Sequence, residues 1–106
     1  MKRDLPPIHP GEILLEEFMN PLGLSSNQLA KALCIPTNRI TSIINGQRGI
    51  TADTALRLQR YFGLEPQFWL NLQNSYDLEI AEEKIKNKIS SIIFYHSNMI
   101  MLRGGA

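Results

Sequence analysis

The sequence predicts an all-α fold: five helices in one domain, followed by a C-terminal extension that is helical or a hairpin. Three observations carry this expectation. Apolar residues recur at spacings of three and four in successive segments, each segment opens on proline, serine or threonine, and most close on glycine or on a residue beside proline. A chain of 106 residues has the length to close one hydrophobic core and little room for a second. The boundaries that follow are an arm over 1–9, a helical domain over 10–89 and an extension over 90–106.

Pro6 and Pro7 leave the arm without helical periodicity. Pro10 suits a first helical turn, Glu12, Glu16 and Glu17 follow early, and Ile13, Leu14 and Phe18 make an apolar face that Asn20-Pro21 and Gly23 should end. Ser25 begins a Ser-x-x-Gln capping box with Gln28. The second helix then buries Leu29, Ala30 and Leu33 and should stop at Cys34-Ile35-Pro36, because proline disfavours helical dihedrals in the residue before it. A third helix starts at Pro36-Thr37, turns Ile40, Ile43 and Ile44 inward, and meets a left-handed stop at Asn45-Gly46. Thr51 caps a fourth helix with Ala55, Leu56, Leu58 and Phe62 on its apolar face and Gly63 at its end. Glu65-Pro66 opens the fifth, which carries Phe68, Trp69, Leu72, Tyr76 and Ile80 and a Glu82–Lys86 pair, and runs to about Ile89. Ile92 to Tyr95 and Met99 to Leu102 flank His96-Ser97-Asn98, a pattern open to a short hairpin, a continued helix or an adhesive tail.

The formal net charge is +1, so the chain cannot hold nucleic acid by bulk positive charge, and any basic footprint must be local. Cys34, the single cysteine, has no disulfide partner and no thiolate neighbours for a metal cluster. That usage suits the reducing cytoplasm. No signal-peptide core and no run of about 18 apolar residues is present, so a membrane partner is not expected. Neither a serine nor a cysteine stands beside an evident base, and there is no Gly-rich phosphate loop, so the chain is expected to be no enzyme and to need no cofactor. His9 and Glu12 share a metal-like spacing but lack a third ligand, and the start of the first helix accounts for both. The aromatic residues of the fifth helix read as core.

The second and third helices, joined by a three- or four-residue turn, match a helix-turn-helix layout. Double-stranded DNA is the partner that layout fits, because a major groove about 12 Å wide admits one helix and lets short polar side chains reach base edges. Thr37, Asn38, Thr41 and Ser42 lie on that edge. Asn38 is suited to a bidentate adenine contact, and Arg39 to guanine or phosphate. Asn45, Gln47 and Arg48 follow in a Gly-bounded loop where donors can meet the sugar-phosphate backbone. Ser26, Asn27 and Gln28 at the head of the second helix are candidates for the same role, helped by free backbone N–H groups.

Four motifs occur in order: His9-Pro10-Gly11-Glu12, Leu22-Gly23-Leu24-Ser25, Asn45-Gly46-Gln47-Arg48-Gly49-Ile50-Thr51-Ala52-Asp53-Thr54-Ala55, and Phe68-Trp69-Leu70-Asn71-Leu72-Gln73. Together they resemble the HigA (VapI-like) antitoxins of the Xre/Cro-C1 helix-turn-helix superfamily over about residues 9 to 80. The resemblance implies a lambda-repressor-like five-helix domain, a homodimer, repression of the chain's own operon and neutralisation of a HigB-type toxin, a ribosome-dependent messenger-RNA nuclease; two-fold binding by a short recognition helix in turn calls for an inverted-repeat operator. Cys34 stands where the superfamily usually has glycine, and Ser26 where glutamine is common. Two other readings share the fold: a stand-alone Xre-type regulator without a toxin, and an interaction module that has lost DNA binding. Ile85, Ile89, Ile92 and Ile93 are more apolar surface than a five-helix core needs, which places the expected dimer contact in the C-terminal third.

Overall fold

The computed structural model describes residues 5–95. Its first helical run, α1, covers 10–22 in three continuous pieces: Pro10–Ile13, a π-wound Leu14–Met19, and Asn20–Leu22. His9 caps it, with Nδ1 accepting from the Gly11 N–H at 2.9 Å. That cap needs an unprotonated Nδ1. Burial pushes the His9 imidazole below its ordinary pKa, against the opposing attraction of Asp77.

Of the expected stop at Asn20-Pro21 and Gly23, the glycine ends α1, while Asn20-Pro21 lies inside its last turn. A proline in an α-helix collides with the carbonyl four residues back. Here the preceding turn is π-wound, with the Asn20 N–H bonded to the Leu15 carbonyl five residues back, and the chain passes Pro21 before stopping at Gly23, φ +66°. The Leu24 N–H returns to the Met19 carbonyl at 2.9 Å and the Gly23 N–H to that of Asn20 at 3.1 Å, the two bonds of a Schellman stop. The wider winding also brings Met19 onto the buried face with Leu14, five residues earlier.

Helix α2, Ser26–Leu33, opens on the expected capping box: the Gln28 N–H donates to Ser25 Oγ at 3.1 Å and the Ser25 N–H to Gln28 Oε1 at 2.9 Å. Leu29, Ala30 and Leu33 are buried as expected. The stop falls at Cys34, within the expected Cys34-Ile35-Pro36. Cys34 adopts φ +60°, the only positive φ outside glycine among the described residues, and closes a second Schellman pair through its own N–H and that of Ile35. A side chain in the left-handed region is strained, so Cys34→Gly should stabilise the domain by about 0.5 to 1 kcal/mol, net of the entropy glycine adds to the unfolded chain. A denaturant midpoint shifted upward at unchanged m checks this. A downward shift would mean that the thiol makes contacts worth more than the strain.

Pro36 precedes α3, Thr37–Ile44, whose inner residues Ile40 and Ile43 are fully buried while Ile44 is half-buried. Gly46, φ +78°, lets the Gln47 N–H return to the Ser42 carbonyl at 2.8 Å. Helix α4, Ala52–Phe62, starts on the Thr51 hydroxyl and ends at Gly63. Thr54, Ala55 and Leu58 form its buried face. Leu56, expected there, is 57 % exposed, because it follows Ala55 by one residue and so lies about 100° around the helix from the 55–58–62 stripe.

Helix α5, Pro66–Ile89, is anchored by Trp69, its only buried residue. The Trp69 ring meets those of Phe18 and Phe68 at 5.0 Å each, and Tyr76 packs edge-on against His9 at 4.8 Å. Phe68 is thus at the core's rim rather than in it, at 37 % exposure. From Ala81 onward every described residue is exposed. Lys86 pairs with Glu83 at 3.0 Å, not with the expected Glu82; both acids neighbour it on the helix surface, and Glu83, three residues back, is the one in reach. Past Ser90 the backbone is no longer helical, which ends the continued-helix alternative as far as residue 95. Met99 to Leu102, the second half of the hairpin alternative, lies outside the described residues. Among the described residues there is no strand, and no helix is long and apolar enough to cross a membrane.

Candidate nucleic-acid interface

Two stops and two starts set the angle between α2 and α3. The Cys34 turn reverses the chain after Leu33, and Ile35, buried, pins the connection before Pro36 begins the next helix. At the heads of the two helices the Thr37 hydroxyl donates to Asn27 Oδ1 at 2.9 Å. Two of the candidate residues are thereby brought together across ten positions of sequence. Gln28 accepts the Ser25 N–H on Oε1 in the cap, which leaves its amide donors for a ligand. Ser26 is half-buried.

On the outer edge of α3, Asn38 is exposed and its carboxamide has no hydrogen bond among the described residues. Thr41 is half-buried and its hydroxyl donates to the Asn38 carbonyl at 3.2 Å, which leaves its oxygen lone pairs and methyl for an outside group. Ser42 is half-buried, and its carbonyl closes the helix by accepting from Gln47 and Arg48. Asn45, Gln47 and Arg48 are exposed on the loop that follows.

Two residues that sequence reasoning passed over hold this surface in shape. Gln73 of α5 accepts the Ile50 N–H on Oε1 at 2.8 Å and donates from Nε2 to Asp77 at 2.9 Å, so the loop carrying Arg48 is tied to the far helix. Gly49 leaves room for that amide, since a Cβ there would sit 3.0 Å from it. Asp53, on the first turn of α4, accepts from Arg39 Nη1 at 2.5 Å and Arg57 Nε at 3.0 Å. Those two hydrogen bonds, Arg39's first, hold its carboxyl below the usual carboxylate range. Arg57 carries its other end to the Leu33 carbonyl at 2.8 Å, a cation on the C-terminal end of α2. The Asp53–Arg57 pair had a sequence signal, an i,i+4 spacing in a first turn; the link to Arg39 had none. Arg39, a candidate for guanine or phosphate, is thus already paired with Asp53. Arg39, Arg48, Thr51, Asp53 and Thr54 line a depression of about 340 Å³ beside the start of α4. No group of three or more histidine, cysteine or acidic residues placed to hold a metal occurs among the described residues.

Residues 15–69 match the Helix-turn-helix family. Over 92 residues, 87 % of this chain and 84 % of the relative, the sequence is 58 % identical to virulence-associated protein I of Dichelobacter nodosus. The solved structure of an addiction module antidote protein of the HigA family from Coxiella burnetii superposes with a TM-score of 0.81 at 55 % identity, covering 87 % of this chain and all of that one. The chain belongs to the HigA family of helix-turn-helix proteins. Within that family, the Pseudomonas aeruginosa antitoxin HigA, solved with the higBA promoter, matches with a TM-score of 0.80 and 44 % identity over 83 % of this chain and 96 % of that one. Reading this HigA-family chain as a DNA-binding protein rather than an enzyme rests on that membership.

Proposed function

We propose that this chain is the antitoxin of a type II toxin-antitoxin pair, acting in the cytoplasm as a homodimer. It binds an inverted-repeat operator in its own promoter, represses its operon and neutralises a HigB-type messenger-RNA nuclease. The DNA part is carried by the outer edge of α3, where Asn38 is exposed and unbonded on a helix whose opposite edge, Ile40 and Ile43, is fully buried. A rigid helix with a small, nearly uncharged edge is what base reading requires. The promoter complex of the Pseudomonas aeruginosa relative supports the same reading. Residues 10–89 form the DNA-binding unit, with 1–9 as an arm and 90–106 as an extension.

Within the interface, Asn38 and Thr41 are the base readers, with Thr37 and Ser42 beside them and Arg39 next to them for guanine or phosphate, and Gln47 and Arg48 are the backbone anchors, supported by Asn45, Ser26, Asn27 and Gln28. Asn38→Ala should cost about 1 to 3 kcal/mol on the operator and lose discrimination at one base pair, with random DNA bound as before. Arg48→Ala should weaken both DNAs and lower the salt slope of log K by about one. Titration of both variants against operator and random duplexes at several salt concentrations decides. Intact sequence preference in Asn38→Ala, together with its loss in Arg48→Ala, would make the loop the reader.

The dimer follows from a recognition helix that spans only a few base pairs and a chain of net charge +1, too little for tight binding as a monomer. Half-site centres should then lie about 34 Å apart or at a multiple of one helical turn. The exposed Ile85, Ile89, Ile92 and Ile93 support a contact in the C-terminal third. Sedimentation of the chain truncated after Lys88 tests it, unchanged dimerisation moving the contact elsewhere. For the toxin, co-expression with a tagged product of the adjoining reading frame is the test, and a toxin neither captured nor silenced would leave a stand-alone regulator.

A further inference from the structure

Asp53 Oδ2 receives Arg39 from α3 and Arg57 from its own helix, and Arg57 reaches on to the last carbonyls of α2. One carboxylate on the first turn of α4 thus joins both helices of the helix-turn-helix to a third. Asp53 is exposed and shares the depression with Arg39 and Arg48. On charge alone an acid there opposes the approach of phosphates. It must do something that outweighs the repulsion.

We propose that Asp53 is a positioning residue for DNA recognition, holding the Arg39 guanidinium in one orientation so that it reads a base edge instead of turning to the nearest phosphate. The inference rests on the DNA-reading function proposed above. A free arginine loses rotamer freedom when it binds. With Nη1 held by Asp53, the plane of the guanidinium is set in the unbound protein, and the remaining donors keep the planar geometry that a bidentate guanine contact uses. The same carboxylate offsets the arginine's charge toward phosphates. Operator DNA, which presents the base edge, gains from the first effect, whereas random DNA feels only the second.

The experiment compares the wild-type chain, Asp53→Asn, Arg39→Ala and the double variant on a duplex from the chain's own promoter and on a random duplex of equal length. Asp53→Asn should weaken operator binding about three- to tenfold, leave random DNA bound as tightly or more tightly, and have no further effect once Arg39 is alanine. Equal loss on both duplexes, no loss on the operator, or the same loss in the Arg39→Ala background would overturn the proposal. A wild-type chain without preference for its promoter would remove the DNA-reading function itself, and this proposal with it. If Asp53→Asn fails to fold, nitrogen relaxation of arginine side chains in the free wild-type chain decides. An Arg39 Nε as ordered as the backbone supports the positioning role, and one as mobile as the exposed Arg60 overturns it.

Discussion

Gly11→Ala is expected to destabilise the domain by about 3 kcal/mol or more, an effect at the upper end for one added methyl group. A Cβ at Gly11 would lie 1.8 Å from the Ile43 carbonyl oxygen and 2.6 Å from its carbon. Both are backbone atoms of α3, so no side-chain rotation can make room. Relief requires α1 to lift from α3, which also strains the His9 cap on the Gly11 N–H and the edge packing of His9 on Tyr76. Gly11 does not have a positive φ, so the cost is steric and not conformational. Thermal unfolding should show a fall in Tm of about 15 °C for a domain of this size, and operator affinity should drop with it because the displaced element is α3. A Tm within about 3 °C of the wild-type value would mean that the contact between α1 and α3 yields without cost. Gly23→Ala is the natural control: its Cβ would meet open space, and only the left-handed φ of +66° is at stake, worth about 1 kcal/mol.

Trp69→Ala should cost about 3 to 5 kcal/mol, the range for emptying a buried aromatic site. Trp69 is fully buried and is the only residue by which α5 enters the core completely. Its loss frees the start of that helix, and Gln73, one turn on, would then hold the Ile50 N–H less firmly. Loosening should therefore reach the loop with Arg48, some distance from the cavity. Trp69→Phe keeps a ring in the site while removing the N–H that alanine also removes. The indole N–H is buried without a hydrogen-bond partner among the described residues, so removing it relieves a desolvation penalty of about 1 to 3 kcal/mol while the smaller ring gives up some packing. Phenylalanine should accordingly retain more than half of the stability that alanine loses. Circular dichroism with denaturant measures both, since the chain's single tryptophan is gone in either variant. Equal losses for the two substitutions would show that a phenyl ring recovers no packing in this site.

The surface formed by α2, α3 and the loop after them divides between local and distant causes. The Ser25–Gln28 box, the Thr51 cap and the stops at Gly46 and Gly63 were legible because each acts within one turn of the chain, through backbone groups a few residues away. The edge of α3 was legible too, since burying Ile40 and Ile43 at helical spacing turns Asn38 outward. Pro21 misled because its usual consequence assumes an α-helical turn before it, and a π turn stands there instead. Leu56 misled because hydrophobicity was read without its angle.

Sequence by itself determined where the helices begin and end, which edge of α3 is polar, and, through four ordered motifs, the family. Those properties depend on neighbours in the chain and on spacing. Tertiary structure alone decided that Arg39 is held by Asp53, that Gln73 ties down the loop carrying Arg48, and that Gly11 is the point where α1 lies against the backbone of α3. Each of these joins positions that are 14, 23 and 32 residues apart. Hydrogen bonds and steric limits at such separations depend on how the helices pack, and no local pattern of residues encodes that packing.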